Sequence, residues 1–390
     1  MEEGCKGKLQ KMSRLKGKIF VFPILFNFPL AICLLLLPAA AGLPAAASLP
    51  SGSLPHLTPI FTAGTHGYTC FRIPSAVQSP TGALLVFVEA RGVCDDGNPR
   101  NDVVFSRSLD SGATWSGPIL VYPGLGLHNF RNPTAVFSSN GALVLQFVNA
   151  STSGHWHTLQ MVSHDQGGTW GPPQDPVLGP ADSFLAGPAN GLLLSGSSSP
   201  APGRLLLCGT NFYDYTRAPS APVGARVWYS DDASGAPGTW ASPYTPLALN
   251  MTECAMAELG NGSVLVNFRA NHLNPCLCRS QVRSDDGGVT WSPLVYVPDL
   301  IEPVCSAGLL QLPSGRGLLF SNPASTTSRV NMTVRRSRDG GLTWPDSTQI
   351  WPGGGAYSVL VPVGSAAGIV FETLDATGYN SIVFALVPPF

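Results

Sequence analysis

The chain has 390 residues, enough for a sizeable core in one large domain or two ordinary ones. Its 43 Gly and 36 Pro argue against a mainly helical protein, because both residues interrupt helices. Only 12% of residues are charged and the formal net charge is −1, so there is no basic field to hold nucleic acid.

The chain opens with a basic stretch. Six of the 22 Lys and Arg and two of the 23 acids fall in the first 18 residues, and no lysine follows Lys18. Every later strong base is an arginine, whose planar fork suits carboxylates where lysine offers a point charge. The basic start leads into the apolar run LAICLLLL (Leu30–Leu37) and then into small residues, PAAAGLPAAASLP. That layout predicts a secretory signal peptide over residues 1–47, cleaved near 41–47. An uncleaved membrane anchor is the competing reading. Pro23, Asn27 and Pro29 interrupt the apolar stretch and argue against it, so no integral span is expected after cleavage. Four N-glycosylation sequons, at Asn149, Asn250, Asn261 and Asn331, agree with the secretory route.

Beyond the leader, TCFRIPSA (Thr69–Ala76) reads as a strand start, with Phe71 and Ile73 on one face and Arg72 between them. GALLVFVEAR follows as a second strand ending in Glu89 and Arg91, and then the acidic loop with Asp95, Asp96 and Asp102. The first copy of a repeat comes next. Ser-x-Asp-x-Gly-x-Thr-Trp occurs at Ser108–Trp115, Ser163–Trp170, Ser284–Trp291 and Ser337–Trp344, with a stretched copy at Ser230–Trp240. Successive copies start 53 to 67 residues apart, the size of one four-stranded propeller blade. Alternating runs such as DVVFSRS before a copy and GPILVYP after it make each one a hairpin turn. Ser and Asp bind loose backbone groups there, Gly permits positive φ and Trp covers the base, so the box aspartates are structural. Five copies leave room for a sixth blade, expected from the segment near Pro59–Glu89 and the C-terminal strands. The predicted fold is all-β, a six-bladed β-propeller over residues 48–390.

Seven cysteines follow the leader: Cys70, Cys94, Cys208, Cys254, Cys276, Cys278 and Cys305. An odd number leaves at least one free or paired between chains, and the connectivity is not readable. Cys276-Leu-Cys278 has no partner pair at zinc spacing, and the histidines form no ligand pattern. No phosphate-binding loop or dinucleotide fingerprint occurs, so no cofactor is implied.

Arginines beside the boxes (Arg107, Arg335, Arg336, Arg338) are expected to be structural. Arg72 and Arg269 are embedded in apolar strand patterns and Arg329 leads into one. An arginine so placed must be paired or bind an anion. Three of them from three blades favour a shared anionic ligand.

FRIP followed by EAR, the boxes, and an arginine ahead of each of the last two boxes resemble an exo-α-sialidase, over nearly the whole chain past the leader. TEC…AELGNGSVLVNFRAN, CLCR, FSNPA…RVNMTVRRS and IWPGGGAYS are most similar to the lysosomal-type animal sialidases. The resemblance implies a carboxylate clamp of Arg72, Arg269 and Arg329, a nucleophile Tyr357 polarised by Glu253, and Glu372 bracing Arg72. Glu258 is a weaker candidate than Glu253. It implies an acid shortly after EAR: Asp96, with Asp95 the alternative and Asp102 read as a turn or cap residue. Arg91 would reach an outer hydroxyl of the sugar, Arg131 and Asn132 would touch substrate or shape their turn, and Phe184–Gly191 would line an N-acyl pocket. The implied substrates are terminal sialic acids of glycoproteins, glycolipids and oligosaccharides, released by a retaining, metal-free route. The implied compartment is the lysosome, with cell surface or secretion as alternatives, and the implied partner is the carboxypeptidase protective protein, cathepsin A. A catalytically silent box propeller acting as a sialic-acid lectin or receptor is the runner-up, and transfer to another sugar is a third reading.

Overall fold

In a computed structural model of the chain, the structure describes residues 54–96, 100–124, 129–150, 156–176, 184–211, 224–241, 247–270, 275–313 and 316–390. All belong to the compact unit Ser48–Phe390, and the expected leader lies outside them. No α-helix occurs among the described residues. The strands in chain order begin with β1 (Thr58–Thr62), β2 (Cys70–Gln78), β3 (Leu84–Arg91), β4 (Asn101–Ser108) and β5 (Ile119–Tyr122). Next come β6 (Phe130–Phe137), β7 (Leu143–Ala150), β8 (Trp156–Ser163), β9 (Phe184–Ala186), β10 (Leu192–Leu193), β11 (Leu205–Asn211), β12 (Gly224–Ser230) and β13 (Ala248–Leu249). The rest are β14 (Met251–Glu258), β15 (Val264–Ala270), β16 (Cys278–Ser284), β17 (Val295–Ile301), β18 (Gly308–Gln311), β19 (Leu318–Pro323), β20 (Val330–Ser337), β21 (Asp346–Val363), β22 (Ala366–Asp375) and β23 (Gly378–Leu386).

They form antiparallel sheets β2–β5, β6–β8, β10–β13 with β9 beside β11, β14–β17, and a seven-stranded sheet ordered β1-β23-β22-β21-β20-β19-β18. Second strands such as LLVFVEAR, LVLQFVNA and VLVNFRA are apolar almost throughout, because both of their faces pack on neighbouring sheets. The outermost β17 is mostly exposed, with only Val297 and Leu300 buried. Apolar clusters run between consecutive sheets: β2–β4 against β6–β8 through Phe87, Phe105 and Phe147, and onward to β18 and β19 through Phe320. Phe61, Phe71, Val88 and Phe384 then join the last sheet to the first. A further cluster with Met332, Leu360 and Phe371 lies within the seven-stranded sheet. Its 18-residue β21 pairs with β20 through one half and with β22 through the other, across a register shift at Gly355–Ser358.

One expectation is corrected here. β1 alone joins the C-terminal strands, through β23, whereas Phe71–Glu89 build the first sheet with β4. The tight turn Ser79–Ala83, with Ser79 N donating to the Ala83 carbonyl at 2.7 Å, folds β2 onto β3 and commits both locally.

The boxes at Ser108, Ser230, Ser284 and Ser337 each link the third strand of a four-strand run to the next strand, and the box at Ser163 follows β8, the third strand of its sheet. In the copy at Ser337, the Ser Oγ donates to Asp339 Oδ1 at 2.7 Å and accepts the Gly341 N–H at 2.7 Å. Asp339 also takes the Thr343 N–H at 2.9 Å and the Thr343 hydroxyl at 2.6 Å. Gly112, at φ +91, lies against Phe384 of the preceding sheet, and a Cβ there would stand 2.2 Å from the ring. The box tryptophans pack likewise: Trp115 on Phe384, Trp170 on Phe87 and Trp344 on Phe320. Arg107 also reaches across, donating to the Gln166 carbonyl of the next box at 2.6 Å. Arg336 and Arg338 pair with Asp346, while half-buried Arg335 donates to Asn322 Oδ1.

Three disulfides join Cys70 to Cys94, Cys208 to Cys254 and Cys276 to Cys278, leaving Cys305 buried and free. Of the sequon asparagines, Asn250 and Asn261 are exposed, Asn331 is half-buried and Asn149 is buried on β7.

The box carboxyls generate a pH dependence. Asp110 and Asp165 are held down to about 2, chiefly by the Thr114 hydroxyl and the Thr169 backbone N–H. At Asp286 and Asp339 slight burial opposes the shift, and the bonds from Thr290 and Thr343 outweigh it, again to about 2. Carboxyls depressed on folding stabilise the native state above their unfolded value of 3.8, and that stabilisation is lost as pH falls toward 2. The urea midpoint should therefore be flat above about pH 5 and fall between about pH 4 and 2, and Asp339→Asn should lessen that fall. A midpoint constant across this window would contradict the assignment.

Candidate active site

Four of the side chains of interest sit where a strand ladder slips register, on β2, β6, β14 and β21. The shifts fall between Arg72 and Ser75 on β2, Arg131 and Thr134 on β6, Thr252 and Cys254 on β14, and Gly355 and Ser358 on β21. A bulge re-aims the residue it carries. Here those residues are Arg72, Arg131, Glu253 and Tyr357. Two of the bulges are built alike. In FRIPSA and FRNPTA the residue before proline takes positive φ, +60 at Ile73 and +53 at Asn132. A β-branched residue in that region is strained by about 1–3 kcal/mol. Both are held by a buried carboxylate of the preceding sheet: Ile73 N donates to Glu372 Oε1, and Asn132 N to Glu89 Oε1, each at 2.8 Å. This internal repeat was legible in the letters and went unread.

Glu372 takes four N–H groups. Arg72 Nε and Nη2 donate to its two oxygens, each at 3.1 Å, and the backbone N–H groups of Ile73 and Tyr357 complete the set. Burial pulls the Arg72 guanidinium down, and the Glu372 charge more than reverses this, so it stays charged. Its Nη1 edge faces Asp96 Oδ1 at 3.6 Å.

Tyr357, 8% exposed, is the centre of the group. Its hydroxyl donates to Glu253 Oε1 and accepts from Arg269 Nη1 at 2.7 Å, while the same nitrogen reaches Glu253 Oε2 at 2.6 Å. Burial, then the Glu253 charge, push the phenol well above its ordinary value, so it is a neutral O–H with a carboxylate ready for its proton. Arg72 and Arg329 lie 5.3 and 5.4 Å from the Tyr357 ring centroid. The three expected arginines thus surround one tyrosine. Arg329 donates to the Val304 carbonyl at 3.1 Å and to the hydroxyl of Tyr379 at 3.0 Å. Tyr379 also lies under Arg72, with the guanidinium carbon 3.7 Å from its ring centroid. No sequence signal marked it, for TGYNS reads as an ordinary hairpin end.

The acid candidates sit opposite. Asp96, its side chain 73% exposed, accepts from Arg91 Nη1 at 2.8 Å. Partial burial would raise its carboxyl, but Arg91, Arg72 and Arg131 together hold it below the usual carboxylate value. Asp95 meets Arg91 through its backbone carbonyl. Arg91, expected at a sugar hydroxyl, is instead 2% exposed and directs its donors to Glu89 and the acid loop. Arg131 likewise straps that loop, donating to the Asp96 carbonyl and lying 5.2 Å from the Trp156 ring centroid. The Cys70–Cys94 disulfide fastens the same loop to β2.

Asp102 accepts from Gly124 N and the Tyr68 hydroxyl, each at 2.7 Å, as a turn residue would. Glu258 binds the backbone N–H groups of Ser195 and Gly196, away from Tyr357. In the Phe184–Gly191 segment, Asn190 ties Ala76 N and the Leu360 carbonyl together. Gly187, at φ +65, leaves no room for a Cβ beside Thr134 Oγ1.

The family model described as "BNR repeat-like domain" matches residues 82–369, about three quarters of the chain. The chain belongs to the BNR repeat-like domain family. Among curated relatives, a sialidase of Micromonospora viridifaciens is 29% identical over 340 residues, covering 79% of this chain and 50% of that protein. A sialidase of Bacteroides fragilis is 30% identical over 352 residues, covering 80% and 61%. The chain therefore spans about half to three-fifths of the length of these two relatives. Among solved structures, the Hadza microbial sialidase Hz136 superposes with a TM-score of 0.72 at 26% identity, covering 85% of this chain and 68% of that one. Arg72, Glu372 and Tyr379 lie outside the stretch that matches the BNR family model.

Removing one partner of a buried ion pair strands the other. Glu372→Ala should therefore destabilise the protein by about 3–5 kcal/mol in chemical denaturation, and Glu372→Gln, which keeps an acceptor, by less. A loss under about 1 kcal/mol for the alanine variant would show that Glu372 is not the anchor described.

Proposed function

We propose that the chain is an exo-α-sialidase, built as a six-bladed β-propeller, that releases terminal sialic acid from glycoproteins, glycolipids and oligosaccharides with retention. The observation that carries this reading is the Tyr357–Glu253–Arg269 triangle ringed by Arg72 and Arg329. Similarity to sialidases supports the substrate class. Counting the seven-stranded sheet as two blades sharing β21 supports six.

Sialic acid carries its carboxylate on the anomeric carbon. A carboxylate nucleophile would be repelled there, whereas a neutral phenol is not, and sialidases with a tyrosine nucleophile depart from the usual two-carboxylate scheme. The sugar carboxylate docks on Arg269, Arg329 and the Nη1 edge of Arg72. Tyr357 Oη bonds to the anomeric carbon as the glycosidic bond breaks. The phenol proton passes to Glu253 and the leaving oxygen takes a proton from Asp96. In the second step Asp96 accepts a proton from the attacking water, the carbon–tyrosine bond breaks, and Glu253 returns the phenol proton. A lectin would have no use for the Tyr357–Glu253 bond.

Leader, sequons and resemblance support passage through the secretory route to the lysosome, with cathepsin A as activating partner. Of the two aspartates, Asp96 is the better acid, because its side chain bonds Arg91 and faces Arg72. Tyr357→Phe should abolish nearly all hydrolysis of an aryl sialoside while retaining binding. A wild-type protein inert at acidic and neutral pH, with the carboxypeptidase supplied, would overturn the proposal.

The arginines around Asp96 set the pH profile. A proton donor must be protonated, and this carboxyl is held low, so kcat/KM should fall about tenfold per unit as pH rises above the Asp96 value. Asp96→Asn should lower turnover of natural glycosides by about 10²–10⁴ and flatten that limb, with a smaller loss on aryl sialosides, whose leaving group needs no proton. Equal losses on both substrates would remove Asp96 as the acid.

A further inference from the structure

We infer that Tyr379 is a positioning residue of this site, its ring covering one face of Arg72 while its hydroxyl holds Arg329, so that one side chain sets the spacing of two arginines that grip one carboxylate. The inference rests on the sialidase reading above and adds a residue that neither motif nor family match brought to notice.

The β22–β23 hairpin carries both controls on Arg72. Glu372 on β22 engages its Nε–Nη2 edge, and Tyr379, opposite Leu374 at the hairpin end, lies against its face. The hairpin turn is itself held, since Asp375 accepts the Thr377 N–H at 2.7 Å, the Thr377 hydroxyl at 2.6 Å and Asn380 Nδ2 at 2.8 Å. With one edge and one face occupied, Arg72 offers an incoming anion its Nη1 edge. A guanidinium over an aromatic face is attracted by the ring's negative face, so the stack leaves the charge available while fixing the plane. The Tyr379 hydroxyl accepts from Arg329 Nη1 at 3.0 Å, and the Val304 carbonyl accepts from Nη2 at 3.1 Å, so that second arginine is aimed from two sides. A long side chain already held in its bound geometry loses less freedom when the ligand arrives. Tyr379 makes no bond to Tyr357 or Glu253, so its effect belongs to binding and not to the chemical step.

The test uses the full chain with its activating partner, an aryl sialoside, and as inhibitors a 2,3-unsaturated sialic acid and its methyl ester. Tyr379→Phe keeps the ring and loses the hydroxyl. It should raise KM and the inhibition constant of the free acid about three- to tenfold, with kcat within about twofold. The ester, which lacks the anion, should bind wild type and variant alike. Tyr379→Leu loses ring and hydroxyl and should weaken the acid further, and Tyr379→Phe should add nothing in an Arg329→Ala background. Unchanged KM and inhibition constants in the phenylalanine variant, or equal losses for acid and ester, would overturn the inference. If the leucine variant does not fold, the phenylalanine variant alone decides. An inert wild type that binds neither inhibitor sinks the sialidase reading itself, whereas an active wild type with an indifferent Tyr379→Phe sinks only this inference.

Discussion

One carboxylate holds the two ends of the β-structure together. Glu372 belongs to the last sheet and takes both Arg72 donors and the Ile73 N–H from the first, while its fourth donor is the backbone of Tyr357. An ionised side chain this deeply buried is tolerated only when its lone pairs are filled, and here all come from groups that would themselves be stranded without it. Arg72 is aimed by Glu372, and the strand that presents Tyr357 is pinned by the same group. Closure of the fold and alignment of the site are thus a single constraint. The surrounding apolar cluster of Phe61, Phe71, Val88 and Phe384 supplies the cohesion, but it is not directional, and the carboxylate supplies the register.

Two of the three arginines around the mouth are neutralised by a carboxylate on the protein side and the third is not. Arg72 has Glu372 behind it, Arg269 has Glu253, and Arg329 has only neutral acceptors, the Val304 carbonyl and Tyr379. Two acids against three clustered arginines leave an excess of positive charge where an anion is needed, without an unpaired guanidinium in the core. Cys305, buried beside Tyr357 with its thiol pushed up to about 12 by burial, adds bulk and no charge. Asp96 lies across the remaining gap, facing the Nη1 edge of Arg72, and on the proposed mechanism this accounts for an acid that starts in the wrong protonation state for its task. A sugar carboxylate that displaces it from Arg72 removes part of what holds it ionised.

The boxes were readable because their chemistry is local. Ser, Asp, Gly, Thr and Trp close one turn within eight residues, and their spacing alone set the size of the repeating unit. The three arginines were readable for a different reason, since a charge inside an apolar strand has few physical explanations. What escaped was whatever depends on a contact between distant strands. The expectation of both chain ends in one closing sheet places the segment near Pro59–Glu89 there, and nothing in its pattern says that the Ser79–Ala83 turn folds β2 onto β3, which pairs with β4 instead. Arg91 looks like a mouth residue by position, yet Glu89 two residues earlier on its own strand captures it. Disulfide pairing was closed to reading for the same reason, and Tyr379 sits in a hairpin whose letters describe a turn and nothing more.

The two FRxP segments show how a site with one working centre arises from repeated parts. Each uses proline to end its bulge, a residue at positive φ to turn the strand, and a buried glutamate from the preceding sheet to hold that turn. The arginine before the turn is left to project toward the mouth in both. In the first copy Glu372 is free to engage it, because no arginine on its own strand competes. In the second, Glu89 is already taken by Arg91, so Arg131 turns to the Asp96 carbonyl and to Trp156. The same local fold therefore yields an arginine paired with Glu372 beside Tyr357 in one sheet and a strap for the Asp96 loop in the next. What separates the two roles is one residue, the presence or absence of a competing base two positions beyond the glutamate: Arg91 follows Glu89, and Leu374 follows Glu372.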